Sequence, residues 1–169
     1  PIAPLGVYGA SKRKGEEVVL NSTVDAIVIR TSWLYSSFGS NFVKTMLRLG
    51  REREELSVIC DQIGTPTYAR DLAIACLTIL EKQKSISANG NVYHYSNEGV
   101  ASWYDFAAAI MELTNTSCKI EPIETKDYPT LAQRPCYSVL NKSKIKKDFH
   151  IVIPHWRVAL QQCLKSMDL

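Results

Sequence analysis

No stretch of the 169 residues approaches the roughly 18 consecutive apolar positions that a membrane-spanning helix requires, and no signal-peptide pattern is present. The chain therefore reads as soluble and cytoplasmic, with no membrane partner. Cysteine is sparse and unpatterned: Cys60, Cys76, Cys118, Cys136 and Cys163 are odd in number and never spaced as C-x-x-C. That excludes a disulfide framework or a thiolate zinc site and points to reduced thiols, with Cys60 and Cys76 in apolar runs read as small core residues. His94, His150 and His155 share no ligand spacing, so no metal site is expected. A dominant charge is lacking too, since 20 Lys and Arg face 17 Asp and Glu for a net +3. Basic residues gather only at 12–14, 48–53 and 142–147, and the middle group is interleaved with Glu52, Glu54 and Glu55. This describes a solvated, salt-bridged helix end and excludes a nucleic-acid footprint. Repeats and low-complexity segments are absent.

What is present is ordinary for a globular chain, 46% hydrophobic and 22% charged, and long enough to bury one good core. Helical spacing runs from Pro4 to about Leu20 and closes at Asn21-Ser22-Thr23. DAIVIR (Asp25–Arg30) and LSVIC (Leu56–Cys60) read as strands buried on both faces, and Thr31–Tyr35 leaves the first at its carboxyl end. Asn41 caps a helix from Phe42 to about Arg51. Asp61–Pro66 is turn chemistry in which Gly64 permits positive φ. A helix from Tyr68 to about Lys82 places Leu72, Ala75, Cys76, Ile79 and Leu80 on one apolar face. Asn89-Gly90-Asn91 reads as a loop, Val92–Tyr95 as a strand, and Ser102 with Asp105 as the start of a helix to about Leu113. Lys119–Ile123 is an alternating strand, Thr125–Pro135 irregular and Tyr137–Leu140 extended. Ser143–Phe149 and Pro154–Met167 are helices. The alternation of strand and helix favours an α/β fold with parallel sheet.

The chemistry concentrates near the start. In VYGASKRKGE (Val7–Glu16), Tyr8 and Lys12 stand one helical turn apart on one face. An ammonium beside a phenol stabilises the phenolate and draws its pKa down from about 10, so that the hydroxyl can serve as a proton donor to a carbonyl. Such a motif arises by chance often, and the alternative is a solvated helix start. Beyond it, Trp33 either offers a platform to a sugar ring or packs beneath the following loop. Asp61, Gln62, Thr65 and Thr67 either hydrogen-bond a substrate or close their own turn. Arg134 suits bidentate recognition of a diphosphate, or a surface salt bridge.

Taken in order, VYGASKRKGE, RTSWLY (Arg30–Tyr35), GSNFVKTML (Gly39–Leu47), DQIGTPTYARDLA (Asp61–Ala73) and AQRPCYSVLNKSKI (Ala132–Ile145) resemble the dTDP-4-dehydrorhamnose reductases, extended short-chain dehydrogenases/reductases. The resemblance implies the carboxyl-terminal part of a Rossmann-like parallel sheet with a small α+β substrate-binding lobe over residues 1–169. It implies reduction of dTDP-4-dehydro-L-rhamnose with NADPH, or in some members NADH. By position, Tyr8 resembles the catalytic acid and Lys12 the ribose-binding lysine, with Thr31 and Ser32 on the cofactor side. Trp33, Asn41, Thr65, Thr67 and Arg134 fall in segments that face the nucleotide-sugar. The family's Gly-rich phosphate loop and the Ser/Thr of its catalytic trio have no counterpart here. Ser11 and Ser32 are imperfect substitutes for that hydroxyl. Since Pro1 leads directly into the motif, the expectation is a portion of a longer enzyme that neither binds NADPH tightly nor turns over alone, and that pairs as a homodimer along the open edge at DAIVIR. Other nucleotide-sugar reductases or epimerases, and a non-catalytic regulatory subunit like that of methionine adenosyltransferase, share the pattern in part.

Overall fold

The computed structural model describes residues 3–4, 6–22, 26–82, 92–128 and 134–167. Helix α1 (Val7–Ser22) precedes strand β1 (Val28–Arg30) and strand β2 (Leu34–Tyr35). Helix α2 (Phe42–Glu52) leads into β3 (Glu55–Ile59), β4 (Ile63–Gly64), β5 (Thr67–Tyr68) and helix α3 (Ala69–Lys82). After β6 (Val92–His94) come β7 (Ala101–Ser102), α4 (Trp103–Leu113), β8 (Lys119–Ile123), α5 (Ser143–Phe149) and α6 (Trp156–Lys165).

Four two-stranded pairs organise these elements. Three are parallel: β1 with β6 from Val28↔Val92 to Arg30↔His94, β2 with β5, and β3 with β8 from Glu55↔Lys119 to Ile59↔Ile123. The fourth, β4 with β7, is antiparallel. Parallel pairing with intervening helices is the α/β arrangement expected from the alternating pattern.

Two cores result. The larger lies among α2, α4, α6 and the inner face of β3 and β8, and includes Val43, Leu47, Leu56, Phe106, Ile110 and Leu160. Helix α2 enters it because Val43, Met46, Leu47 and Gly50 recur at helical spacing and are its buried residues. Asn41 caps α2 as expected, accepting from the Lys44 N–H at 3.2 Å. Ser102 caps α4 in a full capping box with Asp105. The smaller core joins Ala75 and Ile79 of α3 to Tyr93 and Tyr95 and to Ile145 and Phe149 of α5.

Several expectations are corrected. Leu56–Cys60 is not buried on both faces; Leu56 and Val58 point inward while Glu55 and Ser57 are exposed. Gly64 has no positive φ and belongs to β4. Its need is space: a Cβ there would stand 2.6 Å from Trp33 Cε2 and 2.6 Å from Ser138 Oγ. On α3, Leu80 is exposed and Asp71 is buried, because Asp71 accepts a 2.7 Å hydrogen bond from the sealed Asn97 amide. Cys60 and Cys76 are half-buried, whereas Cys118 and Cys163 occupy the core. The last helix begins at Trp156, and Pro154 precedes it. Thr23, Asp25, Asn89–Asn91 and residues 129–133 lie outside the described residues. Among the described residues no helix is long and apolar enough to cross a membrane.

Candidate functional site

Where β1 ends, the chain turns outward through Thr31, Ser32 and Trp33 before β2 begins. Trp33 takes φ 47°, a left-handed conformation that costs a bulky residue about 1–3 kcal/mol. Its backbone carbonyl accepts from the Thr67 N–H at 3.0 Å, and its indole stacks on Trp103 with ring centroids 3.6 Å apart and planes 11° from parallel. Trp103 is the first residue of α4, and Phe42 at the start of α2 packs on it at 4.8 Å. The absent Cβ of Gly64 leaves room for the Trp33 ring.

This tryptophan pair walls a cleft of about 500 Å³. Tyr8 from α1, Ser32, Gln62, Arg134, Pro135 and Ser138 complete its lining. A second cleft, of about 230 Å³, shares Gln62, Trp103 and Arg134 with the first and continues into the apolar side chains of Phe42, Met46, Val58, Ile59 and Tyr128. The two form a groove with a polar end beside Tyr8 and an apolar end beside Phe42. A depression of about 700 Å³ elsewhere, flanked by Lys44, Arg48 and Arg51, touches none of the residues indicated by sequence.

Of the residues singled out by sequence, Tyr8, Ser32, Trp33 and Arg134 meet in the polar end. Lys12 stands behind Tyr8, its ammonium 5.5 Å from the centre of the phenol ring, within cation–π range. Both side chains are exposed. Trp33 is half-buried, so its stacking combines features of both readings: an inward partner and a face on the cleft. Among the described residues Arg134 has no ion pair, so the alternative of a surface salt bridge is not realised there. Ser11 donates to the Tyr8 carbonyl at 2.8 Å and Ser32 to the Thr65 carbonyl at 2.9 Å, so each hydroxyl proton already has a backbone acceptor.

The fold gives other residues internal partners. Thr65 and Thr67 have no exposed surface. The Thr65 hydroxyl donates to the Gly99 carbonyl at 2.8 Å, and that of Thr67 accepts from Thr31 at 3.3 Å. Asn41 spends its side chain on the α2 cap and on the Ser36 carbonyl. Asp61 accepts both the N–H and the hydroxyl of Thr125, which hold its carboxyl below the usual carboxylate range. Much of the 61–67 segment thus closes structure, while Gln62 from the same segment, bonded to Thr125 Oγ1 at 3.1 Å, is left on the groove floor.

Trp103, Phe42, Tyr128 and Ser138 escaped the sequence reading as site residues. A local signal existed for Trp103 and Phe42: each is the aromatic first residue of a helix whose start is fixed by a side-chain cap, Ser102 for one and Asn41 for the other.

The RmlD substrate binding domain model matches residues 1–169. A spore coat polysaccharide biosynthesis protein, SpsK, of Bacillus subtilis (strain 168) is 45% identical over 98% of this chain and 56% of its own length. The dTDP-4-dehydrorhamnose reductase of Aggregatibacter actinomycetemcomitans is 44% identical over 95% of this chain and 57% of its own. Among solved structures, the dTDP-4-dehydrorhamnose reductase of Bacillus anthracis str. Ames, in complex with NADP, superposes with a TM-score of 0.86 at 39% identity, covering 97% of this chain and 56% of that one. The chain therefore spans somewhat more than half the length of the relatives it matches.

Proposed function

The chain belongs to the RmlD substrate binding domain family, and from that premise we propose that residues 1–169 form the nucleotide-sugar side of a dTDP-4-dehydrorhamnose reductase. The remainder of the cofactor side, beyond Tyr8, Lys12, Thr31 and Ser32, falls to the share of the relatives' length that these residues do not span. The carrying observation is the meeting of Tyr8, Trp33 and Arg134 in one cleft, although they come from three distant stretches of sequence. A sugar ring lies against the Trp33 indole, the diphosphate meets the Arg134 guanidinium, and the base enters the apolar end by Phe42 and Tyr128.

The residues present fit a nicotinamide cofactor on one side of Tyr8. The exposed Lys12 ammonium, one turn along α1, is a donor suited to ribose hydroxyls, and Thr31 and Ser32 lie at the carboxyl end of β1, where α/β sheets bind ligands. Bound NADPH supplies the hydride. Tyr8 gives its proton to the sugar carbonyl oxygen, and Lys12 keeps positive charge beside the phenolate that remains. Trp33 and Arg134 hold the nucleotide-sugar so that the carbonyl stays within reach of Tyr8.

The test is NADPH oxidation with dTDP-4-dehydro-L-rhamnose in a polypeptide that spans the relatives' full length. Tyr8→Phe is expected to lower kcat about 10²-fold or more while nucleotide-sugar binding is kept. Residues 1–169 alone are expected to give no turnover in that assay. Wild-type rates retained by the Tyr8 variant would sink the assignment of the proton donor. Turnover of a different nucleotide-sugar in place of this one would move the substrate, not the site.

A further inference from the structure

Among the described residues no hydrogen bond reaches the Trp33 indole, so its plane is set by packing. One face is covered by Trp103 at 3.6 Å, and an edge lies close against the Gly64 backbone, where an added Cβ would come within 2.7 Å of Cζ2. Trp103 is itself fixed twice. The Ser102–Asp105 capping box locates its backbone, and Phe42 braces its ring. Because the stack covers one indole face, the ring of Trp33 offers a ligand only the remainder.

We infer that Trp103 is a positioning residue for nucleotide-sugar binding, which acts through Trp33 by fixing the plane of its indole. This rests on the reading of the cleft as a nucleotide-sugar site. Trp103 sits where the two clefts meet, so a loss of register there shifts the platform on which the sugar lies relative to Arg134. An apolar residue of any shape fills the space, but only a flat ring holds another ring parallel.

The experiment titrates the full-length protein with dTDP-L-rhamnose, for wild type, Trp103→Phe, Trp103→Leu, Trp33→Leu and the double leucine variant. Near-ultraviolet circular dichroism reports the coupled indoles, and thermal melts confirm folding. Trp103→Leu is expected to weaken binding about tenfold and Trp103→Phe less than about threefold, in keeping with the range measured for aromatic pairs. Both should abolish the indole–indole signal. The double variant should bind no more weakly than Trp33→Leu, since a residue that acts through another has nothing left to act on. Multiplying losses in the double variant would make Trp103 an independent contact and overturn the inference. So would Trp103→Leu binding as wild type. Should wild type fail to bind dTDP-L-rhamnose at all, the nucleotide-sugar reading falls first and this inference with it, an outcome distinct from both.

Discussion

The two ends of the proposed site rest on different foundations. Trp33, Trp103 and Phe42 grow out of the larger core, where Phe106 meets Tyr35, Phe42 and Trp156 at ring separations of 5.3, 5.5 and 5.9 Å. Tyr8 and Lys12 stand on α1, none of whose residues is buried. Helix α1 exposes Val7, Val18 and Val19 and lies beside a sheet of two three-residue strands. Its tie to that sheet is a bidentate ion pair, Glu16 with Arg30 at 2.6–2.7 Å. The aromatic half of the site is therefore built on interior packing, while the proton-donating half is held by a half-buried charge pair. A helix of this kind takes its stability from whatever covers its apolar face.

The largest expected effect tests the solidity of the first region. Phe106 is fully buried, and Phe106→Ala should destabilise the lobe by about 3–5 kcal/mol in urea unfolding, through lost transfer energy and the cavity left behind. Val18→Ala on α1, at an exposed position, should stay within about 0.5 kcal/mol of wild type. Equal effects would erase the contrast. Next in size is Ser102→Ala. The Ser102 hydroxyl accepts from the Asp105 N–H at 3.0 Å, and the Asp105 carboxylate accepts from the Ser102 N–H at 2.8 Å. Its loss should cost about 1 kcal/mol in the same urea series. A variant as stable as wild type would show that packing, not the cap, sets the start of α4.

Elements whose signals are local were legible in the sequence. Helix α2 begins at the predicted Phe42 behind the predicted Asn41 cap, and α4 follows Ser102 as its capping box requires. Strands β2, β4, β5 and β7 were not legible, because two residues are too short to show alternation. Burial of Asp71 on a face expected to be apolar depends on Asn97, which no helical periodicity connects to it. The same holds within the site. Tyr8 and Lys12 form a local motif, whereas the Trp33–Trp103 stack joins residues on different elements and needed the fold to appear. Thr65 and Thr67 show the converse: polar residues in a motif that resembled a binding segment, yet turned inward, one to the Gly99 carbonyl and the other to the Thr31 hydroxyl.

The smallest expected effect on global stability is also the most specific to α1. Glu16 is held below the usual carboxylate range, chiefly by its hydrogen bonds to Arg30, with burial opposing and the Arg30 charge adding to the shift. A carboxyl whose pKa is lower when α1 is docked favours docking at pH values above its ordinary pKa of about 4.3. That contribution fades as pH falls through the depressed value, so α1 should loosen in acid. Amide exchange, corrected for its intrinsic pH dependence, should show α1 losing protection relative to α4 as pH drops from about 5 toward 3. Glu17 is also held below the usual carboxylate range, by its hydrogen bond to Arg13, but that pair lies within the helix and does not tie α1 to β1. Glu16→Gln should therefore remove the acid step and leave α1 loose at every pH, while Glu17→Gln should keep the step. If the step survives in Glu16→Gln and vanishes in Glu17→Gln, α1 is held by its own helical ion pairs, and the bridge to Arg30 is incidental to the placement of Tyr8.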